Sequence, residues 1–133
     1  MFKKIDHIGI AVSSLKTAIS VYKNLGLKVS RAENVSGMGV RVAFISVGDV
    51  RLELLEPLSK DSVVAKFIEQ RGEGVHHICI EVDDLAKILK KLQEKNFRLV
   101  YDKPQRGADQ SLISFVHPKS THGILLELSE KNK

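Results

Sequence analysis

Two segments of the chain alternate between apolar and polar or small residues with a period of two. They are residues 5–12 and 75–82, and an offset of 70 residues places His7 on His77. Such alternation is typical of a β-strand that buries one face. The match predicts an internal repeat in which each half begins with one of these strands.

A helix is predicted to follow the strand in each half. Apolar residues recur at helical spacing from Leu15 in the first half and from Leu85 in the second. Residues suited to helix ends flank both segments: Ser13, Ser14, Asp83 and Asp84 as N-caps, and Gly26 and Asn96 at the C-terminal turns.

A short strand and a β-hairpin complete each half of the repeat. The predicted strands are 27–30, 40–47 and 50–55 in the first half, and 97–100, 111–116 and 124–128 in the second. One more helix, 63–70, is expected between the halves and ends before Gly72. The sequence therefore predicts an α+β fold of two βαβββ modules in a curved, partly closed mixed sheet.

The repeat also matches in its polar residues. Each half has a histidine in its first strand and a glutamate in its last: His7 and Glu53, then His77 and Glu127. If two curved sheets pack about a pseudo-two-fold axis, these side chains can converge in one cleft. A single strand histidine is usually structural, and a glutamate between leucines is usually on an exposed face. The coincidence of both pairs instead favours a divalent metal such as Co, Mn, Ni or Zn.

Three further residues, His76, His122 and Cys79, are not predicted to be metal ligands. His76 and His122 have no counterpart in the repeat, so we expect them near the ligands or on the surface. Cys79 shares the strand face of His77 and is expected to be a small packed residue. As the only cysteine, it excludes an internal disulfide and a Cys-rich metal site.

Composition narrows the class of protein. The chain has 133 residues, 43% of them hydrophobic, and a net charge of +5. No apolar run is long enough for a membrane span or a signal peptide, so a cytosolic protein without a membrane partner is expected. With 5% aromatic residues and no Trp, the chain is poorly suited to base stacking, and no nucleic-acid partner is expected.

The segments that carry the repeat resemble a known family. They are residues 5–11, 52–58, 74–78, 115–120 and 123–128, supported by the linker 61–68. They resemble the vicinal oxygen chelate (glyoxalase/bleomycin resistance) superfamily and, within it, the methylmalonyl-CoA epimerases. The His-Pro-Lys-Ser turn at 117–120 matters most, since glyoxalase I tends to carry an Asp-Pro-Asp-Gly type of turn there.

The resemblance implies a single domain over residues 1–133, with modules at about 1–58 and 75–133 and a helical linker at 59–74. It implies one metal ion in the cleft, cobalt being favoured. His7, His77 and Glu127 would be ligands, with Glu53 as the fourth. Some epimerases carry Gln at the fourth position and a separate Glu where this chain has Val42. The Glu53 arrangement is similar to glyoxalase I, where carboxylates at the metal do acid–base work.

The implied reaction is that of an isomerase, which interconverts (2R)- and (2S)-methylmalonyl-CoA through an enolate. Inversion needs a base on each face of the carbon, and Glu53 and Glu127 are the predicted pair, with Glu33 and Asp109 as weaker candidates. Lys119, Arg106 and Lys103 are candidates to bind the CoA phosphates. The family suggests a homodimer.

Two alternatives remain open. The first is a glyoxalase I-type lactoylglutathione lyase, which would use the same four ligands. The second is a non-catalytic module that binds small molecules, like the antibiotic-sequestering resistance proteins. Those usually lack the full ligand set, which argues against the second alternative.

Overall fold

The computed structural model describes residues 1–131. The strands are β1 (Phe2–Ala11), β2 (Glu33–Val35), β3 (Val40–Val47), β4 (Val50–Pro57), β5 (Gly74–Val82), β6 (Gln105–Arg106), β7 (Leu112–Val116) and β8 (Leu126–Glu130). The helices are α1 (Leu15–Asn24), α2 (Val63–Arg71) and α3 (Leu85–Glu94). None of the helices in this range is long and apolar enough to span a membrane.

The chain divides into two compact units that share strand β1. The first unit is His7–His76, and the second is Met1–Asp6 together with the chain from His77 onward. Strands pair in the order β2-β3-β4-β1 in the first unit and β1-β5-β8-β7-β6 in the second. The β1–β4 and β5–β8 pairs are parallel, and the hairpins are antiparallel. The predicted α+β class and the two βαβββ modules are confirmed, whereas the single domain stays a prediction.

The predicted helix ends of α1 and α3 are confirmed. The Ser14 hydroxyl accepts a hydrogen bond from the amide of Thr17, and the Asp84 carboxylate accepts one from the amide of Lys87. These side chains satisfy amides that have no partner within the helix. The residues with a left-handed backbone after the helices are Gly26 (φ 100°) and Asn96 (φ 67°).

A glutamate from the last strand of each module binds the start of that module's helix. Glu56 Oε2 accepts a hydrogen bond from the Leu15 amide at 2.8 Å, and Glu130 Oε1 accepts one from the Leu85 amide at 2.8 Å. A carboxylate there also meets the positive end of the helix dipole. The repeat therefore duplicates this link between strand and helix as well as the fold.

Each module helix covers one face of its own strands. In the first unit, Leu15 of α1 packs with Ile45 and Leu54. In the second unit, Leu85 of α3 packs with Leu128. These leucines and isoleucines are almost fully buried, so burial of their apolar surface drives the packing.

The linker helix α2 packs on the strands of the first unit. It begins after Ser62, whose hydroxyl accepts from the amide of Ala65 at 3.0 Å, and ends at Gly72 as predicted. Val64 belongs to a buried cluster with Val42 and Leu55.

The short strands predicted at residues 27–30 and 97–100 are wrong. The structure forms only single bridges there, at Val29 and Leu99, and the short strands lie later, at Glu33–Val35 and Gln105–Arg106. Serine hydroxyls take the place of backbone groups beside both bridges. Ser30 Oγ accepts from the Phe44 amide, and Ser114 Oγ donates to the Tyr101 carbonyl. At the first bridge, the Ser30 hydroxyl accepts the bond from the Phe44 amide that the next backbone carbonyl of a ladder would accept, so the ladder does not continue.

An ionic cluster of two buried carboxylates and two half-exposed lysines joins β1, β5 and the residue after β8 in the second unit. Glu81 Oε2 lies 3.1 Å from Lys3 Nζ, and Lys131 Nζ lies 3.4 Å from Glu81 Oε1 and 2.9 Å from Asp6 Oδ1. The hydrogen bond from Lys3 is the largest influence and lowers the pKa of Glu81, against the opposing effect of burial.

We therefore expect acid to weaken the fold partly through Glu81. Because its pKa is lower in the folded chain than the ordinary value of 4.5, its stabilising effect is complete above about pH 4.5 and is lost as the pH falls through the folded-state pKa. The free energy of unfolding is measured in urea between pH 3 and pH 7. It should decrease less at low pH in Glu81→Gln than in the wild type. Glu94→Gln, at an exposed position of α3, is the control and should keep the wild-type pH dependence. An unchanged slope in Glu81→Gln would contradict the assignment.

Candidate active site

The first unit brings a histidine and a glutamate together on neighbouring strands. His7 lies on β1 and Glu53 on β4, and the register pairs His7 with Arg51 and Gly9 with Glu53. His7 Nδ1 lies 3.3 Å from Glu53 Oε2, and both side chains are largely buried. The structure therefore brings these two predicted site residues together within the first unit.

The second unit repeats this arrangement. His77 Nε2 on β5 lies 3.4 Å from Glu127 Oε1 on β8, with similar burial. The register places Cys79 beside Glu127, as it places Gly9 beside Glu53, so Cys79 shares the face of His77 as predicted. The structure therefore brings His77 and Glu127 together within the second unit.

The leucines on either side of each glutamate explain its orientation. Leu54 and Leu128 are fully buried in the clusters that hold α1 and α3. Because neighbouring side chains on a strand point to opposite faces, Glu53 and Glu127 lie on the face away from the module helix. Helix packing in each module therefore fixes the face on which the carboxylate stands.

The donor atoms of each pair suit a divalent metal ion. Imidazole nitrogen and carboxylate oxygen are ligands of Zn, Co, Mn and Ni, and His7, His77 and Glu127 are candidate ligands. Two atoms each about 2.1 Å from one ion, at angles of about 90–110°, are about 3.0–3.4 Å apart. The separations of 3.3 Å and 3.4 Å within the two pairs fit this requirement.

The structure adds one residue that the sequence pattern did not single out. Arg51 Nη2 donates to Glu53 Oε2 at 3.1 Å, and the guanidinium carbon lies 5.3 Å from the centroid of the Phe44 ring. The spacing of Arg51 and Glu53 places both on one face of β4. The sequence shows this spacing. It does not show which residues of β1 and β3 lie beside Arg51, because that depends on the register of the strands.

Val42, where some epimerases carry a glutamate, and the weaker candidate bases Glu33 and Asp109 do not belong to the two His–Glu pairs. Val42 is 3% exposed and packs in the apolar cluster under α2. Glu33 is exposed on the short strand β2, opposite Val42 in the register. Asp109 is exposed in a turn with φ 54°. The catalytic role of Glu33 and Asp109 stays a prediction.

The three predicted phosphate-binding side chains are exposed in the second unit. Lys119 lies in a 3₁₀ turn, and its amide donates to His117 Nδ1 at 3.0 Å. Burial, together with the charges of Arg98 and Lys119, lowers the pKa of His117. Arg106 Nη1 donates to the Gln110 carbonyl at 3.1 Å. Lys103 precedes β6, and its carbonyl accepts from the Gln105 side chain.

His76 and His122 have separate environments. The His76 ring meets the Phe67 ring of α2 edge-on, with centroids 5.0 Å apart. His122 is exposed and has φ 59° in the turn before β8. Neither belongs to the His–Glu pairs described above.

Comparison with known proteins identifies the family. Residues 6–115 match the model of the Glyoxalase/Bleomycin resistance protein/Dioxygenase superfamily. The chain is 39% identical to human mitochondrial methylmalonyl-CoA epimerase over 96% of this chain and 73% of that protein. It is 36% identical to the ethylmalonyl-CoA/methylmalonyl-CoA epimerase of Cereibacter sphaeroides, over 98% and 99%.

A solved structure agrees over the full length. It is a variant of the methylmalonyl-CoA epimerase of Streptomyces coelicolor in complex with 2-nitronate-propionyl-CoA. The TM-score is 0.86 at 37% identity, covering 100% of both chains. The duplicated His–Glu pairs occur in a chain that aligns with these enzymes over 96–100% of its own length. The chain belongs to the glyoxalase/bleomycin resistance/dioxygenase superfamily and, within it, to the methylmalonyl-CoA epimerase family.

Proposed function

We propose that the chain is a metal-dependent epimerase that interconverts (2R)- and (2S)-methylmalonyl-CoA. The observation that carries the proposal is the duplicated His–Glu pair, with ligand separations of 3.3 Å and 3.4 Å, in a member of this family. A glyoxalase I-type lyase and a non-catalytic binding module are not favoured by the comparisons.

We propose that His7, Glu53, His77 and Glu127 hold one divalent ion. The chemistry of the donor atoms supports this set, because two imidazoles and two carboxylates match borderline metals. When bound, the ion supplies a Lewis acid that stabilises negative charge on the thioester oxygen of the substrate. Cobalt as the native metal, a homodimer and a cytosolic location stay predictions.

The carboxylates also supply acid–base chemistry in this proposal. The carbon C2 of the substrate lies between a thioester and a carboxylate. Removal of its proton gives an enolate. One glutamate removes this proton, and the other returns a proton to the opposite face. The burial of both side chains, 12% exposed each, supports the role because nearby water would compete for the proton.

We propose that the CoA phosphates meet basic side chains of the second unit. Lys119, Arg106 and Lys103 are exposed and positively charged, which suits contact with phosphate oxygens. The chain as a whole also carries a net charge of +5, which favours binding of an anionic ligand.

Proton exchange at C2 tests the proposal. The Co²⁺-loaded protein is incubated with methylmalonyl-CoA in D₂O, and deuterium at C2 is followed by NMR while the two stereoisomers are resolved. We expect exchange and inversion well above the uncatalysed rate, and neither with a chelator present. A parallel assay uses the hemithioacetal of methylglyoxal and glutathione. Turnover of that compound without exchange at C2 would move the assignment to a glyoxalase.

A further inference from the structure

Arg51 contacts the carboxylate of Glu53 from the same strand. Its Nη2 donates to Glu53 Oε2 at 3.1 Å, and the same oxygen lies 3.3 Å from His7 Nδ1. The register pairs Arg51 directly with His7, so all three side chains share one face of the sheet. The guanidinium of Arg51 and the imidazole of His7 therefore both contact the Glu53 carboxylate.

An aromatic ring restrains the guanidinium. The carbon of the Arg51 guanidinium lies 5.3 Å from the centroid of Phe44, and Phe44 is the register partner of Glu53 on β3. A cation over a ring face is attracted by the ring quadrupole. The Arg51 side chain is 44% exposed, so this ring and the carboxylate help to hold it in place.

The repeat breaks its symmetry at this position. The offset that places Glu53 on Glu127 places Arg51 on Leu125. The side chain of leucine cannot donate a hydrogen bond. The ring is retained, because Phe115 is the register partner of Glu127. Of the two glutamates in the His–Glu pairs, Glu53 therefore has an arginine two residues before it, and Glu127 has a leucine.

We propose that Arg51 is a positioning residue, which holds Glu53 in the orientation that ligates the metal. The inference rests on the proposed function, in that Glu53 is taken as a ligand. A carboxylate can accept about four hydrogen bonds or ligand contacts, so the bond from Arg51 is compatible with metal binding. Repulsion between the guanidinium and the ion acts in the opposite direction. This repulsion is screened because the guanidinium reaches solvent. We therefore expect the fixed orientation of the Glu53 carboxylate to have the larger effect on metal affinity.

Metal affinity measures this role without the reaction. Apo protein is titrated with Co²⁺ against a chromophoric chelator, and the visible spectrum of the bound ion is recorded. Arg51→Leu should raise the Kd for Co²⁺ by about 10- to 100-fold and shift the spectrum, as loss of a partner behind a ligand usually does. Arg51→Lys should restore part of the affinity, because it keeps the charge but not the planar fork.

Arg71→Leu is the matched control. Arg71 also stands over a phenylalanine of the first unit, with its guanidinium carbon 5.9 Å from the Phe67 centroid, but it lies at the end of α2. Its loss should leave the Kd unchanged. Phe44→Leu should weaken Co²⁺ binding in the same direction as Arg51→Leu, and it keeps the inference testable if Arg51→Leu does not fold.

The outcomes separate this inference from the proposed function. An unchanged or lower Kd in folded Arg51→Leu would overturn the positioning role, whether or not the wild type is an epimerase. Normal Co²⁺ binding by a wild type that does not exchange the C2 proton would overturn the proposed reaction and leave the role of Arg51 intact. A wild type that binds no divalent ion would overturn both the metal site and this inference.

Discussion

Glu127→Gln and Glu53→Gln should each lower kcat for epimerisation by about 10²- to 10⁴-fold, the usual contribution of a positioned acid or base. Glutamine keeps the size of the side chain and an oxygen that can bind a metal, but it cannot accept the C2 proton. KM should change much less than kcat, because substrate contacts are retained.

The two stereoisomers of the substrate make this test specific. Each is incubated separately with each variant in D₂O. If two bases serve opposite faces, a variant should still exchange the C2 proton of the isomer whose proton the remaining carboxylate removes, and should fail with the other isomer. Glu69→Gln, at an exposed position of α2, is the control and should behave as the wild type. Near-full activity of Glu53→Gln would make Glu53 a ligand only and place the second base elsewhere.

Removing the metal should abolish measurable epimerisation. A Lewis acid at the thioester oxygen contributes several kcal/mol to the transition state, which corresponds to about 10³-fold or more in rate. Dialysis against a chelator should therefore give an inactive protein. Adding back Co²⁺, Mn²⁺, Ni²⁺ or Zn²⁺ one at a time should restore activity to different extents, and that order would indicate the metal that suits the site.

Histidine variants connect this loss to particular ligands. His7→Asn and His77→Asn should each weaken metal binding and lower the activity at limiting metal. His122→Asn is the matched control, because His122 is exposed, lies outside both His–Glu pairs and has a left-handed backbone that asparagine tolerates. Full activity in the thoroughly chelated protein, or an equal loss in all three variants, would contradict the proposed metal site.

The repeated parts of the fold and site could be predicted from the sequence because their signals are local. Strand alternation, helix spacing and the caps at Ser14 and Asp84 depend on residues close together in the chain. The alternation also fixes the faces of His7 and His77. The glutamates followed from the repeat, since each occurs between leucines in the last strand of its half.

The missed features depend on which strands become neighbours. The strand at 27–30 is replaced by a single bridge because a serine hydroxyl occupies the ladder, which periodicity does not reveal. Arg51 gains its meaning only from the register of β4 with β1 and β3. Glu81 is a charged residue in a buried strand, and its lysine partners come from both ends of the chain.

Strand β1 has a consequence for any division of the chain into two fragments. Its residues Phe2–Asp6 belong to the second unit, while its residues from His7 onward belong to the first. The sequence repeat and the compact unit are therefore not the same object. Cleavage of the chain in the linker 59–74 would therefore separate Phe2–Asp6 from the rest of the second unit, and with them Lys3, whose ammonium pairs with Glu81.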